Sequence, residues 1–375
     1  MIDIQPFALE RYFDRHEFSA KYLLSCSDCE PMALTDLLEM ADADSRRLWS
    51  NLTLAYTHTT GHPALRAAIA EMYPGLEAED ILVMAPEEGI FLFMQSLLQP
   101  GDHVICTFPG YQSLHELGRA TGCEMSMWTA EENRGWHFNL DELERLIRND
   151  TKLVVVNFPH NPTGYLPGRD EFLQLVEIVR RSGAYLFSDE MYRLLEFDET
   201  ATLPAACEGY TKAISLSGLS KSYGLPGLRL GWLASRDRDL LQCIGRLKDY
   251  TTICNSAPGE ILALMALRAR EKIVAAQRRR IRRNISALDA FMQTHAGHFH
   301  WHRPKAGSVC FPRMLTTDDT HRFCETLVHA AGIMLVPSSM FAYGDHHVRF
   351  GFGREDFPAV LGRLADYFHD TKEER

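Results

Sequence analysis

The residues best suited to chemistry in this chain are one lysine and the polar groups near it. Lys221 lies between two serines in the Gly/Ser-rich segment 215–232, and Arg229 follows eight residues later. Small residues let a backbone approach a ligand closely, and a lysine amine can form a Schiff base with a carbonyl compound. Taken alone, the segment fits a flexible turn better than a catalytic site. Residues earlier in the chain favour a catalytic role for this lysine.

Two upstream segments supply groups that complement such a lysine. Asn161 begins the sequence Asn-Pro-Thr-Gly, and Asp189 and Tyr192 belong to the sequence Ser-Asp-Glu-Met-Tyr. Each has an ordinary alternative interpretation. Asn-Pro is commonly a turn, an Asp at a strand end commonly caps a helix, and a nearby Tyr commonly lies in the core. We therefore judge these residues by where the fold would place them together.

The elements that would position these groups alternate between apolar strands and helices. The apolar runs 152–158 and 184–190 have the length of strands, and helical periodicity separates them. This alternation predicts an α/β fold with a mostly parallel central sheet flanked by helices. In such sheets ligands bind at the carboxyl ends of the strands. Because Asn161, Asp189 and the segment 217–221 all follow strand ends, the sequence predicts one site on that rim.

Composition restricts the classes of function. The chain has 375 residues, of which 46% are hydrophobic and 24% charged, as is ordinary for soluble globular proteins. The formal net charge of −11 disfavours nucleic acid as a partner. The one basic run, 278–283, lies in a periodic stretch, 260–291, that predicts a long helix, and we interpret it as a solvated helix face. No stretch has the length and apolarity of a membrane span.

The cysteines predict a reducing compartment. There are nine of them, and the charged N-terminal sequence has no apolar signal region, so we expect a cytoplasmic protein. The one close pair is Cys26 and Cys29. No second pair stands at the spacing of a zinc site, so packing is a better interpretation of this pair than metal binding or redox chemistry.

Together these segments resemble the class I and II aminotransferases, which are fold-type-I enzymes dependent on pyridoxal 5′-phosphate (PLP). The motifs that carry the resemblance cover most of the chain and are YTHTTG (56–61), PGDHVICTFPGY (100–111), NFPHNPTG (157–164), SDEMY (188–192), SKSYGLPGLRLGW (220–232) and HVRFGFG (347–353). The resemblance implies a large PLP-binding domain at 45–270 and a small domain made of 1–44 and 271–375. It also implies a homodimer that transfers an amino group from an amino acid to a 2-oxo acid.

The resemblance implies a role for each candidate residue. Lys221 would hold the cofactor as a Schiff base and later move a proton, and Asp189 would pair with the pyridine nitrogen. Tyr192 and Asn161 would bind the phenolic oxygen. Arg349 would bind the substrate carboxylate, and Asn161 would also contact the substrate. The other cofactor-binding candidates are Tyr56 from the partner subunit, the backbone amides at Glu87 and Glu88, Tyr111 stacked on the ring, Ser217, Ser220 and Arg229.

Three departures from the family pattern bear on the reaction. Gly218 stands where a Ser or Thr is common, and Ala-Pro-Glu-Glu at 85–88 replaces Gly-Ala-x-Glu in the phosphate loop. Pro86 has no N–H to donate, and Glu87 brings a negative charge towards a phosphate. In the N-terminal loop, 25–31 replaces the usual Gly-x-Pro. These departures leave open β-elimination of the C–S lyase kind, elimination with cyclisation on an amino acid, and a non-catalytic PLP-binding protein.

Overall fold

The computed structural model describes residues 3–373, which form fourteen helices and fourteen strands. The helices are α1 (Ala8–His16), α2 (Leu34–Met40), α3 (Ala43–Ser50), α4 (Pro63–Ala70), α5 (Pro86–Leu97), α6 (Ser113–Thr121), α7 (Leu140–Leu146), α8 (Arg169–Ser182), α9 (Ala206–Gly209), α10 (Arg238–Lys248), α11 (Ala257–Arg268), α12 (Arg270–Thr294), α13 (Thr320–Ala331) and α14 (Phe357–Glu373). The strands are β1 (Tyr22–Leu23), β2 (Ile81–Met84), β3 (His103–Phe108), β4 (Glu124–Thr129), β5 (Thr151–Asn157), β6 (Tyr185–Asp189), β7 (Ala213–Gly218), β8 (Gly231–Ala234), β9 (Phe299–His300), β10 (Val309–Cys310), β11 (Arg313–Met314), β12 (Ile333–Met334), β13 (Val336–Pro337) and β14 (Val348–Gly351).

The central sheet has seven strands in the order β2-β8-β7-β6-β5-β3-β4. Strand β8 is antiparallel to both of its neighbours, and the other pairs are parallel. The prediction of a mostly parallel α/β sheet is therefore confirmed. Strands β5, β6 and β7 are adjacent, and Asn157 at the end of β5 pairs in register with Asp189 at the end of β6. Their carboxyl ends meet at one rim, as the site requires.

Smaller sheets form from the N-terminal segment and the last quarter of the chain. Strand β1 pairs in parallel with β12, β14 lies between β10 and β13, and β9 pairs with β11. This arrangement follows the predicted small domain, whose boundaries stay a prediction. Within residues 3–373, no helix combines the length and apolarity needed to cross a membrane.

The prediction of one helix over 260–291 is wrong, because α11 and α12 are separate helices that meet at Ala269. Nearly all of α11 is buried, whereas α12 buries one face and exposes the other. A helix buried all round and an amphipathic helix need different surroundings, so the chain turns between them.

The interpretation of the basic run as a solvated helix face holds only in part, because three of its five arginines are exposed and two are partly buried. Arg278, whose side chain is 14% exposed, and Arg282 pair with Glu199 at 3.1 and 3.2 Å. Arg280 pairs with Glu355 at 2.6 Å. These arginines therefore join α12 to neighbouring segments through ion pairs, which a pattern of charge along one helix does not reveal.

Candidate active site

A cavity of about 640 Å³ lies at the carboxyl ends of β5, β6 and β7. Most of the predicted site residues line it, namely Glu87, Tyr111, Asn161, Asp189, Tyr192, Ser220, Lys221, Arg229 and Arg349. Tyr56, Glu88 and Ser217 do not line it. The structure therefore brings residues from six separate segments of the sequence to one place.

Lys221 lies on the turn that follows β7. Gly224 closes this turn, because its φ of +65° is rarely adopted by other residues and its N–H donates to the Lys221 carbonyl at 3.2 Å. The Lys221 Nζ donates to Ser27 Oγ at 2.7 Å and lies 5.9 Å from the centre of the Tyr192 ring. Sequence reasoning did not single out Ser27, because nothing in the 25–31 segment indicates contact with so distant a lysine.

Asp189 is a buried carboxyl at the end of β6. Its Oδ1 accepts from the Met191 N–H at 3.1 Å. Burial is the main cause that raises the pKa of Asp189 to about 7, and the negative charge of Glu87 adds to it. A cationic ring nitrogen placed against Asp189 would offset that burial, so this carboxyl suits the pyridine nitrogen of PLP.

Arg349 lies on β14 and is fully buried, with 0% of its surface exposed. Its Nη1 donates to Asn161 Oδ1 at 3.1 Å and its Nη2 donates to the Ser25 carbonyl at 3.0 Å. The Nε has no hydrogen-bond partner among the described residues. Burial lowers the pKa of Arg349. A buried guanidinium with a spare donor and no carboxylate in contact suits an anionic group of a ligand.

The remaining polar groups fit a PLP molecule in this cavity. Tyr192 Oη and Ser220 Oγ are buried and have no hydrogen-bond partner among the described residues, so each is available to a ligand oxygen. The first-turn amides of Glu87 and Glu88 in α5 have no intrahelical acceptor, and a helix N-terminus favours a phosphate. Arg229 adds a positive charge on the same wall.

The departures at Gly218 and Pro86 meet in one packing contact. Pro86 lies against the glycines of β7 and β8. A Cβ added at Gly218 would lie 3.1 Å from Pro86 Cγ, and a Cβ added at Gly231 would lie 2.8 Å from the same atom. Pro86 and the backbone of residues 230–231 thus occupy the space that a side chain at position 218 would need, so the absence of a side chain there accommodates Pro86.

The side chains of Glu87 and Glu88 lie in different surroundings. Burial raises the pKa of Glu87, and this weakens the negative charge that it would otherwise place near a phosphate. The carboxylate of Glu88 instead accepts from the hydroxyls of Thr251 and Thr252 at 2.6 and 2.8 Å. Only the backbone of Glu88 therefore remains a candidate for the phosphate.

The other two predicted residues lie apart from the cavity. Ser217 is buried within β7. Tyr56 is 87% exposed, so it can contribute to a site only if another chain brings it there. The roles of both residues stay predictions.

The segment 25–31 forms an ordered wall of the cavity. A Cβ added at Gly351 would lie 1.8 Å from the Cys26 carbonyl oxygen, and one at Gly353 would lie 2.3 Å from the Asp28 carbonyl oxygen. These glycines let the loop pack directly on the backbone after β14. Cys26 and Cys29 are free and buried, and burial raises their thiol pKa values to about 11 and about 12.

Comparisons with known proteins identify the family of this chain. The family model for aminotransferase class I and II matches residues 24–360. The chain is 30% identical over 347 residues to capreomycidine synthase of Streptomyces vinaceus, a match that covers 92% of this chain and 88% of that protein.

Two solved structures share the fold over nearly their whole length. A PLP-dependent aminotransferase from Streptococcus suis has a TM-score of 0.91 at 31% identity, with 98% of each chain covered. The PLP-dependent cyclase OrfR has a TM-score of 0.90 at 28% identity, with 98% of each chain covered. With the family match over most of the sequence, the protein belongs to the class I and II aminotransferases, and its cofactor is pyridoxal 5′-phosphate.

Proposed function

We propose that this protein is an aminotransferase that moves an amino group from an amino acid to a 2-oxo acid. One observation carries the proposal: Lys221, Asp189 and Arg349 line one cavity, so a proton carrier, a ring-nitrogen partner and a carboxylate anchor converge. These are the groups that amino-group transfer on PLP requires.

In this proposal some of the residues act on the cofactor and others act on the substrate. Bound PLP supplies an electron-withdrawing ring that makes the substrate Cα–H acidic and carries the amino group. Asp189 would keep the pyridine nitrogen protonated. The Lys221 Nζ would remove the proton from the substrate Cα and hold it for return, as general base and then general acid. The Tyr192 Oη, which has no partner among the described residues, would donate to the phenolic oxygen.

Arg349 and the N-terminal segment orient the substrate. The free Nε of Arg349, with Asn161 holding Nη1, offers donors to the substrate α-carboxylate. Helix α1 and the segment 25–31 line the cavity, and Glu10 of α1 accepts from Tyr111 Oη at 3.1 Å. In this position they would limit the access of water to the reacting atoms.

We propose the same domain division as the sequence suggested, with 45–270 binding the cofactor and 1–44 plus 271–375 forming the small domain. The seven-stranded sheet lies wholly between residues 81 and 234, and this supports the division. The cavity draws residues from both parts, including Lys221 and Arg349, as a site between two lobes would.

We further propose a homodimer in which Tyr56 reaches the phosphate of the other subunit. Leu54 is 88% exposed, Tyr56 87% and Tyr250 91%, which is unusual for large apolar side chains. Sedimentation at several concentrations tests the dimer. Loss of PLP affinity in Tyr56→Phe, without loss of the dimer, tests the contact.

We also propose a cytoplasmic location. All nine cysteines are free, and most of them are buried. Free thiols in such number are typical of a reducing compartment.

A two-substrate assay tests transamination. Holoprotein supplied with an amino acid and a 2-oxo acid should form equal amounts of the new amino acid and the new 2-oxo acid, without ammonia. Lys221→Ala is the control that should form neither. Ammonia released in the absence of any 2-oxo acid acceptor would overturn the proposal.

The second candidate is elimination, with or without cyclisation, on an amino acid that has a leaving group at its β- or γ-carbon. Two relatives of near-complete coverage are named as a capreomycidine synthase and a PLP-dependent cyclase, and this favours the candidate. The same residues would serve, because elimination also begins with proton removal from Cα by the Lys221 amine. Release of ammonia, or of a cyclic amino acid, would identify this reaction.

A further inference from the structure

The cavity contains more carboxyl groups than the proposed reaction uses. The acidic residues that line it are Glu10, Glu17, Asp28, Glu87 and Asp189, and the basic ones are Arg11, Lys221, Arg229 and Arg349. The proposed function assigns Asp189, Lys221 and Arg229 to the cofactor and Arg349 to the substrate carboxylate. The proposed function gives no role to the three acids of the N-terminal segment, Glu10, Glu17 and Asp28.

The other cations near these acids already have carboxylate partners. Arg354 donates to both carboxylate oxygens of Asp28, at 3.0 and 3.1 Å. Arg11 pairs with Asp14 at 3.4 Å, and both of those side chains are largely exposed. Among the described residues, no lysine, arginine or histidine forms an ion pair with Glu17.

Glu17 stands where a negative charge is unfavourable. It is half-buried and occupies the C-terminal cap of α1, where the helix dipole is negative. Burial is the main cause that raises the pKa of Glu17, and the charge of Asp28 adds to it. A cation bound here would gain from the carboxylate and from the helix end together.

A second feature shows that the cavity is built for a charged ligand. Arg349 is fully buried, lines the same cavity and keeps an unpartnered Nε. An amino acid held there by its α-carboxylate would place its side chain within the same cavity as Glu17. The substrate end is thus bounded by a cation for the carboxylate and by acids for what lies beyond it.

We propose that Glu17, with Glu10, forms a subsite for a cationic side chain, so the amino acid substrate carries an amine or guanidinium group. This inference rests on the proposed action of the protein on an amino acid. Charged hydrogen bonds of this kind are the strong ones in protein sites, and they distinguish a cation from its neutral isostere.

Titration of holoprotein with L-arginine and L-citrulline tests the subsite, because the two differ in charge but little in shape. The visible absorbance of bound PLP reports binding. We expect L-arginine to bind at least about tenfold more tightly, which corresponds to about 1.4 kcal/mol. In Glu17→Gln the preference should fall by about that factor. In Asp14→Asn, which alters an exposed acid of the same helix, the preference should persist.

The outcomes separate the two proposals. Equal affinity for L-arginine and L-citrulline in the unaltered protein overturns the subsite, as does a full preference retained by Glu17→Gln. Either result leaves the proposed function standing if both amino acids change the absorbance. If no amino acid changes the absorbance, whether cationic, neutral or acidic, then action on amino acids is itself refuted, and the subsite with it. The wild-type comparison decides the question even if Glu17→Gln fails to fold.

Discussion

Replacing Asp189 by Asn should stabilise the cofactor-free protein while it weakens cofactor binding. The native cofactor-free protein keeps the Asp189 proton up to a pKa of about 7, whereas the ordinary value is 3.8. Between these values the native state binds more protons than the unfolded state, so its stability falls as pH rises. Asn is uncharged in both the native and the unfolded state, so the stability of Asp189→Asn does not fall with pH in this way.

The size of the effect follows from the two pKa values. Between pH 5 and pH 7 the native carboxyl stays protonated while the unfolded one is ionised, which is a span of about two pKa units at about 1.4 kcal/mol each. The advantage of Asp189→Asn in free energy of unfolding should therefore grow by up to about 3 kcal/mol from pH 5 to pH 8. With PLP bound, wild type should be more stable than Asp189→Asn, because the protonated pyridine nitrogen then pairs with the Asp189 carboxylate.

Urea unfolding of cofactor-free protein, followed by tryptophan fluorescence at pH 5 and pH 8, measures this difference. Asp14→Asn is the matched control, since that carboxyl is exposed on α1 and its variant should show no such pH trend. A variant Asp189→Asn that is equally or less stable than wild type at pH 8 would refute the reasoning. So would an advantage that does not change with pH.

Three further variants test other parts of the account. Gly218→Ser should lower the free energy of unfolding by about 1–3 kcal/mol, because the new side chain overpacks against Pro86. Adding Pro86→Ala to that variant should recover part of the loss, as measured by urea unfolding midpoints. If the losses of the two substitutions simply add, the contact is contradicted. Arg349→Lys should raise KM for the amino acid by about 10- to 100-fold through loss of a charged hydrogen bond, and an unchanged KM would exclude its role. Lys221→Ala should lose turnover with unchanged circular dichroism, and an active variant would remove the central assignment.

The placement of the main site residues could be predicted from the sequence. Continuous apolar runs marked β5 and β6, and the alternation with helices made them parallel neighbours, so Asn161 and Asp189 had to share a rim with Lys221. Strand β4 was not predicted. Its alternating sequence Glu-Met-Ser-Met-Trp-Thr suits an exposed edge and has no apolar run.

Other parts of the site depend on contacts between distant segments. The pairing of Lys221 with Ser27 depends on how the 25–31 loop packs on Gly351. Local sequence does not indicate such packing. The positions of Glu10 and Glu17 in the cavity lining could therefore not be predicted either. The coupling of Pro86 to Gly218 likewise joins two departures that looked independent in sequence. Steric fit between separate elements explains both cases.

The most direct test of the whole account is to find which amine holds the cofactor. Reduction of the holoprotein with borohydride fixes PLP covalently to that amine, and peptide mass spectrometry then locates it. The account predicts a phosphopyridoxyl group on Lys221 and its absence after Lys221→Ala. A modification located on another lysine, with Lys221 unmodified, would contradict the site described for this protein.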